Sequence, residues 1–125
     1  MDIKQINEAA KRLDGRIFPT PLMSSPILNE IAGRRILLKP ECLQHTGSFK
    51  YRGAFAAISK LSKNALANGV VSYSSGNHAQ GIALAAQQHN CTSMIVMPED
   101  APKLKINNTK RLGSEIKLYN RTEES

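Results

Sequence analysis

Glu41-Cys42-Leu43-Gln44-His45-Thr46-Gly47-Ser48-Phe49-Lys50-Tyr51-Arg52-Gly53-Ala54 is the stretch whose reading decides the fold. Thr46-Gly47-Ser48 has the makings of a turn: the glycine gives the bend, and either hydroxyl suits the cap of a following helix. The pattern predicts that helix over residues 49–61, which puts Lys50 in its first turn. The N-terminal end of a helix carries partial positive charge, so it disfavours an ammonium and favours the neutral amine. A neutral amine attacks carbonyls and holds an aldehyde as a Schiff base. Phe49 adds a flat apolar surface beside it. The plain alternative is a solvent-facing lysine on an amphipathic helix. Arg52 suits a phosphate, a carboxylate or an ordinary surface ion pair, and Gly53 is expected to let the helix pack closely on a neighbour.

Further along, Ser74-Ser75-Gly76-Asn77-His78 again sits between a strand-like and a helix-like run. Read alone it is a turn with a helix cap. Read as a site, the helix start offers unpaired backbone N–H groups and a favourable dipole to a carboxylate. Gly76 lets backbone approach a ligand, and the Asn77 amide suits a ring oxygen. Ser75 brings a hydroxyl for acid or base work, while His78 is expected to brace the loop. An aldehyde-holding amine beside a carboxylate site points to pyridoxal phosphate chemistry.

Working outward, strand-like runs recur at Val70 to Tyr73, Ser93 to Met97 and Glu115 to Tyr119, with helix-like runs at Ala79 to Gln88 and Pro102 to Leu112 between them. Pro102 suits a first helical turn, and Gly113 the position past the end. That alternation means βαβ units and a parallel sheet with flanking helices, an α/β class. Ligands bind such sheets at the carboxyl ends of the strands, where Ser74 to His78 falls. Upstream, a helix is predicted over residues 4–13, with Ile6, Ala9, Ala10 and Leu13 on one face and Gly15 ending it. Pro19, Pro21 and Pro26 keep the next segment extended or turning. Ile27 to Ala32 is a short helix stopped by Gly33, and Arg35 to Lys39 is predicted as a strand.

At 125 residues and 41% apolar, the chain is long enough for one globular core, and disorder is not expected. No apolar run approaches a membrane span, and Met1-Asp2-Ile3-Lys4-Gln5 lacks the layout of a signal peptide, so the cytoplasm is expected. The net charge of +7 raises nucleic acid as a partner. The basic residues are scattered, with a mild cluster at Lys103, Lys105, Lys110, Arg111 and Lys117 and no interleaved aromatic residues, so none is expected. Cys42 and Cys91 are expected as reduced thiols. His45, His78 and His89 lack metal-ligand spacing, so no metal site is expected. There is no G-x-G-x-x-G or Walker pattern to cradle a phosphate.

With these residues laid out, the chain resembles the fold-type II pyridoxal phosphate enzymes, in the branch of threonine and serine dehydratases and serine racemases. The matching motifs are Arg16 to Leu22 with Thr20-Pro21-Leu22, Leu38-Lys39-Pro40-Glu41 through Ala54, Ser74 through Gly81, and Met97-Pro98-Glu99-Asp100-Ala101-Pro102-Lys103. The resemblance implies the N-terminal portion of a two-domain, tryptophan synthase β-like fold. Residues 1–60 would open the larger domain and carry the cofactor lysine. Residues 69–125 would start the smaller βαβαβ domain, with the remainder of both absent and the cofactor between them.

The same resemblance implies that Lys50 forms the Schiff base with pyridoxal 5'-phosphate. It implies that Phe49 lies against the ring, that Asn77 bonds the 3′ oxygen, and that the Ser74-Ser75-Gly76-Asn77-His78 loop grips the substrate carboxylate. In the racemases, the serine matching Ser75 is the acid/base on the face opposite the lysine. Threonine dehydratases often carry alanine there, and Leu118-Tyr119-Asn120-Arg121 also resembles the racemase and hydroxyaspartate dehydratase side. The implied activity is deamination of serine, threonine or a hydroxylated relative to a 2-keto acid, by a homo-oligomer in full-length form. Serine racemase or threo-3-hydroxyaspartate dehydratase is the alternative, and a non-catalytic module that binds a complementary chain is the reading of another class. Family members are considerably longer, with a glycine-rich phosphate loop and a residue facing the pyridine nitrogen. The chain alone is therefore expected to be inactive, as a truncated product, a gene remnant or half of a split protein.

Overall fold

The computed structural model describes residues 2–123. In chain order its elements are α1 (Ile3–Leu13), α2 (Pro26–Ala32), two single 3₁₀ turns (Glu41–Leu43 and His45–Gly47), α3 (Lys50–Ile58), α4 (Lys63–Asn68), β1 (Val70–Tyr73), α5 (Asn77–Gln88), β2 (Ser93–Pro98), α6 (Lys103–Arg111) and β3 (Glu115–Tyr119). The strands form one parallel sheet in the order β1-β2-β3. Val70 pairs with Ser93 and Tyr73 with Val96; Met94 pairs with Glu115 and Pro98 with Tyr119. The α/β class read from the alternating strand-like and helix-like runs is what the chain adopts.

The central strand buries Ser93, Ile95 and Met97 on alternate positions. Against the sheet lies α5, whose Ala79 to Ala83, Ala85 and Ala86 are all buried. Its alanines are explained by that position: α5 is covered by the sheet on one side and by α3 on the other, so there is room only for small side chains. From α3 come Tyr51, Ala54, Phe55 and Ile58, and the Tyr51 hydroxyl donates to Gln88 at the far end of α5.

Helix ends follow their capping residues. Asp2 and Gln5 form a reciprocal capping box at α1, with bonds of 2.8 and 3.1 Å. Ser25 caps α2, which Gly33 ends in the left-handed region. The predicted helix 49–61 is shorter, at Lys50–Ile58, and α4, which the sequence reading lacked, follows because Ser62 Oγ accepts from Ala65 N at 3.2 Å. Asn77 and His78 belong to α5, which begins two residues before the predicted Ala79.

Two expectations are corrected. The predicted strand Arg35 to Lys39 does not form: only Met23 and Leu38 pair, as an isolated antiparallel bridge with two 2.8 Å bonds. The Ile36 backbone is instead held by side chains, its N–H by Asn29 Oδ1 at 2.7 Å and its carbonyl by Ser24 Oγ at 3.0 Å. A strand needs a ladder partner on its neighbour, and side chains from α2 and its approach occupy that place. Gly53 is exposed with nothing within 4 Å of a Cβ placed on it, so it is not the close contact; Gly81 of α5 is. Among the described residues, no helix is long and apolar enough to cross a membrane.

Candidate functional site

Lys50 is the first residue of α3. The chain reaches it through two successive left-handed residues, Thr46 at φ 60° and Gly47 at φ 66°, which reverse its direction. The expected Thr46 cap does not form: its Oγ1 is buried without a partner among the described residues. Ser48 does serve the helix start, with Oγ accepting from Lys50 N at 3.4 Å, a long contact. Phe49 occupies the cap position, and Lys50 Nζ lies 4.9 Å from its ring centroid. Among the described residues Nζ has no hydrogen-bond or ion-pair partner.

The turn is anchored from outside. Gln44 is buried, and its amide bonds both the N–H and the carbonyl of Phe18, at 3.0 and 2.8 Å. Arg52 clamps Glu41 with Nε at 2.6 Å and Nη2 at 2.7 Å. Thr20 Oγ1 donates to the same carboxylate at 2.6 Å, and Lys39 Nζ to the Thr20 carbonyl at 2.8 Å. The Arg52 hydrogen bond, against the opposing effect of burial, holds the Glu41 carboxyl down to about 2, and the same pairing raises Arg52. Arg52 therefore takes the carboxylate option, inside its own chain.

Lys50 opens onto a cleft of about 530 Å³, a size typical of small-molecule sites. Ser72 and Tyr73 of β1, Pro98 of β2 and Tyr119 of β3 line it, with Ser74, Ser75, His78 and Arg121. It thus lies at the carboxyl ends of all three parallel strands. Ser74 N donates to the Val96 carbonyl at 3.0 Å, and Ser74 Oγ accepts from Gly76 N at 3.2 Å, which shapes the turn into α5. Among the described residues, no side chain caps that helix start. Burial, and then the nearby Lys50 amine, lower the pKa of His78 below its ordinary value.

Of the residues singled out in the sequence, Lys50, Ser74, Ser75 and His78 meet in this one cleft. Phe49 stands beside the lysine, while Gly76 and Asn77 form the turn and first helical residue behind the lining. Asn77 Oδ1 accepts from Lys105 Nζ of α6, a contact no sequence pattern suggested. Tyr119 and Arg121 were quoted in the sequence only within a resembling motif and not as cleft residues, although the parallel register puts the end of β3 on the same edge as Ser74. The Glu41–Arg52 clamp had no readable spacing.

Residues 13–125 match the family model described as pyridoxal-phosphate dependent enzyme. The chain is 46% identical over 117 residues to L-threo-3-hydroxyaspartate ammonia-lyase of Saccharomyces cerevisiae, covering 94% of this chain and 36% of that protein. It is 47% identical over 116 residues to L-threonine ammonia-lyase of Thermotoga maritima, covering 93% and 29%. Among solved structures, maize serine racemase superposes with a TM-score of 0.93 at 40% identity, over 99% of this chain and 38% of that one. The chain spans about a third of the length of the curated relatives it matches. A lysine in an open cleft at the strand ends and a family match over nearly the whole sequence lead to one conclusion: this chain belongs to the pyridoxal-phosphate dependent enzymes.

Proposed function

We propose that this chain is the part of a hydroxy-amino-acid ammonia-lyase that holds the cofactor aldehyde and grips the substrate carboxylate, releasing ammonia and a 2-keto acid from serine, threonine or a relative. The observation that carries the reading is Lys50, without a hydrogen-bond or ion-pair partner among the described residues, opening onto the same cleft as Ser74, Ser75 and His78. These residues fit the aldehyde and ring of pyridoxal phosphate: an amine without a hydrogen-bond partner among the described residues, a flat aromatic face 4.9 Å from it, and an uncapped helix start opposite. They do not include a glycine-rich cradle for the phosphate. Bound there, the cofactor supplies an electron sink that makes the substrate Cα–H acidic.

In this reading Lys50 Nζ would hold the aldehyde and move the α-proton. Phe49 would cover the ring, and the Asn77 amide would donate to it. The first turn of α5, with Ser74 to His78, receives the α-carboxylate. Residues 1–60 and 69–125 belong to two domains, with the cleft at their meeting. Ser75 in the cleft lining favours a second reading, serine racemisation, in which its hydroxyl exchanges a proton on the face opposite Lys50.

The test uses a full-length form, residues 1–125 followed by the C-terminal two thirds of the S. cerevisiae relative. Ammonia and keto-acid release from L-serine, L-threonine and L-threo-3-hydroxyaspartate, lost in Lys50→Ala, is the expected result. D-serine formation without ammonia supports the second reading. No turnover of any amino acid removes both.

A further inference from the structure

We propose that Lys105 is a positioning residue of the cleft: its ammonium fixes which end of the Asn77 amide faces α6, and so leaves Nδ2, the donor end, for the cofactor ring. The inference rests on the proposed donation from Asn77 and deepens it.

Asn77 is the first residue of α5, and its neighbours Ser75 and His78 line the cleft. The two ends of its amide have nearly the same shape and opposite hydrogen-bond character. An exposed amide can present either one, and the wrong end sets oxygen lone pairs against a ring oxygen. Lys105 Nζ of α6 removes that freedom by donating to Asn77 Oδ1. An ammonium carries donors only, so it accepts no other orientation of the amide. Asn77 Nδ2 is then turned away from the ammonium, with no hydrogen-bond partner among the described residues. The positive charge at Oδ1 also polarises the amide and strengthens Nδ2 as a donor.

Lys105 is held in place for this. It stands one turn before Asn108 on α6, as Asn77 stands one turn before Gln80 on α5. Asn108 Nδ2 donates to Gln80 Oε1 at 3.3 Å, so the two helices meet through two matched polar contacts. Ile106 and Thr109 of α6 are buried, and Thr109 Oγ1 donates to the Lys105 carbonyl at 2.8 Å. The backbone under the lysine is thus fixed by packing that does not depend on its own side chain. Asn77 is exposed and Lys105 half-buried, so the contact itself adds little to stability, and its effect is orientation.

The first measurement needs no cofactor. In the isotope-labelled 125-residue chain, Lys105→Met should move the side-chain amide signals of Asn77, and Lys105→Arg, still a donor-only cation, should move them much less. Signals that stay in place in Lys105→Met overturn the proposal. The second is a titration of the full-length form with pyridoxal phosphate, read by its visible absorbance. Lys105→Met should weaken binding roughly three- to tenfold, the loss of one well-aligned hydrogen bond, and Lys105→Arg should restore most of it. Asn77→Ala should weaken binding at least as much, and adding Lys105→Met to it should cost nothing further. An equal loss from Lys105→Met with and without Asn77 means that the lysine acts by its own charge or by packing α6, and overturns the proposal. No loss in Lys105→Met, where Asn77→Ala does weaken binding, overturns it too and leaves the donation from Asn77 standing. Asn77→Ala without effect overturns both this inference and the donation on which it rests. A full-length form that binds no pyridoxal phosphate overturns the reading of the cleft and this inference with it.

Discussion

Gly81 of α5 lies directly against the Lys50–Tyr51 peptide of α3: a Cβ placed on it would stand 3.1 Å from the Lys50 carbonyl carbon and 3.2 Å from the Tyr51 nitrogen. The residue that carries the candidate amine is thus positioned by backbone contact with the helix that follows the Ser74–His78 turn. Those atoms are main chain and do not swing aside. Gly81→Ala gains about 1 kcal/mol of helix propensity and loses about 1–3 kcal/mol by overpacking. The expected net is a destabilisation of up to about 2 kcal/mol, with a displaced first turn of α3. A denaturant melt and the amide shifts of residues 48–52 measure it; an unchanged spectrum around Lys50 would show that the contact does not set its position.

The Glu41–Arg52 clamp predicts a pH dependence. A carboxyl held down to about 2 contributes stability that is fully present above its ordinary pKa, near 4.5, and is lost as pH falls toward 2. Both partners keep some exposure to solvent, so the expected loss is roughly 1–2 kcal/mol over that window rather than the full shift. Glu41→Gln should flatten the acid limb of the stability curve. An acid limb identical in the variant would mean the clamp contributes nothing.

His78 provides a reading of the cleft that needs no cofactor. Burial is the larger cause of its lowered pKa and Lys50 the second, so it should titrate below the ordinary value near 6.5. Lys50→Met should raise it part of the way back, because burial remains. Since the unfolded chain takes up the proton first, stability should fall as pH drops below about 6.5. Imidazole NMR titration measures the shift; no change in Lys50→Met would separate the two side chains.

The parallel sheet was legible because β-branched and apolar runs recur around two well-marked helices, and Gly113 and Pro102 punctuate them. The turns that place Lys50 and Ser75 before helices were legible because turn chemistry is local. What was not legible is tertiary. Ile36-Leu37-Leu38 has strand composition but no ladder neighbour, so it forms one bridge. Gly53 and Gly81 are both helical glycines, and only packing decides which one meets another backbone. Arg121 reached the cleft through strand order, which spacing alone does not give.

Helix α2 buries none of its residues, and Ile27 and Ile31, one turn apart, are 69% and 78% exposed. An uncovered apolar face of this kind favours association. The 125-residue chain should therefore sediment above monomer mass, and Ile27→Glu with Ile31→Glu should return it toward monomer. A sharp monomer boundary in the unmodified chain at micromolar concentration would contradict this.

Ser75 separates the two proposed reactions. Racemisation needs a proton donor and acceptor on each face of the substrate carbon, whereas elimination needs Lys50 on one. Ser75→Ala in the full-length form should lower racemisation by roughly 10²-fold or more, with a much smaller effect on ammonia release. An equal loss in both reactions, or none in either, would leave the serine a shaping role in its turn.

The central claim is that Lys50 holds the cofactor, and one measurement tests it most directly. The full-length form is mixed with pyridoxal phosphate at substoichiometric ratio, reduced with borohydride, digested and mapped by mass. The account predicts the pyridoxyl group on Lys50 and its disappearance in Lys50→Ala. A pyridoxyl group on another lysine alone, or labelling unchanged in Lys50→Ala, would contradict it.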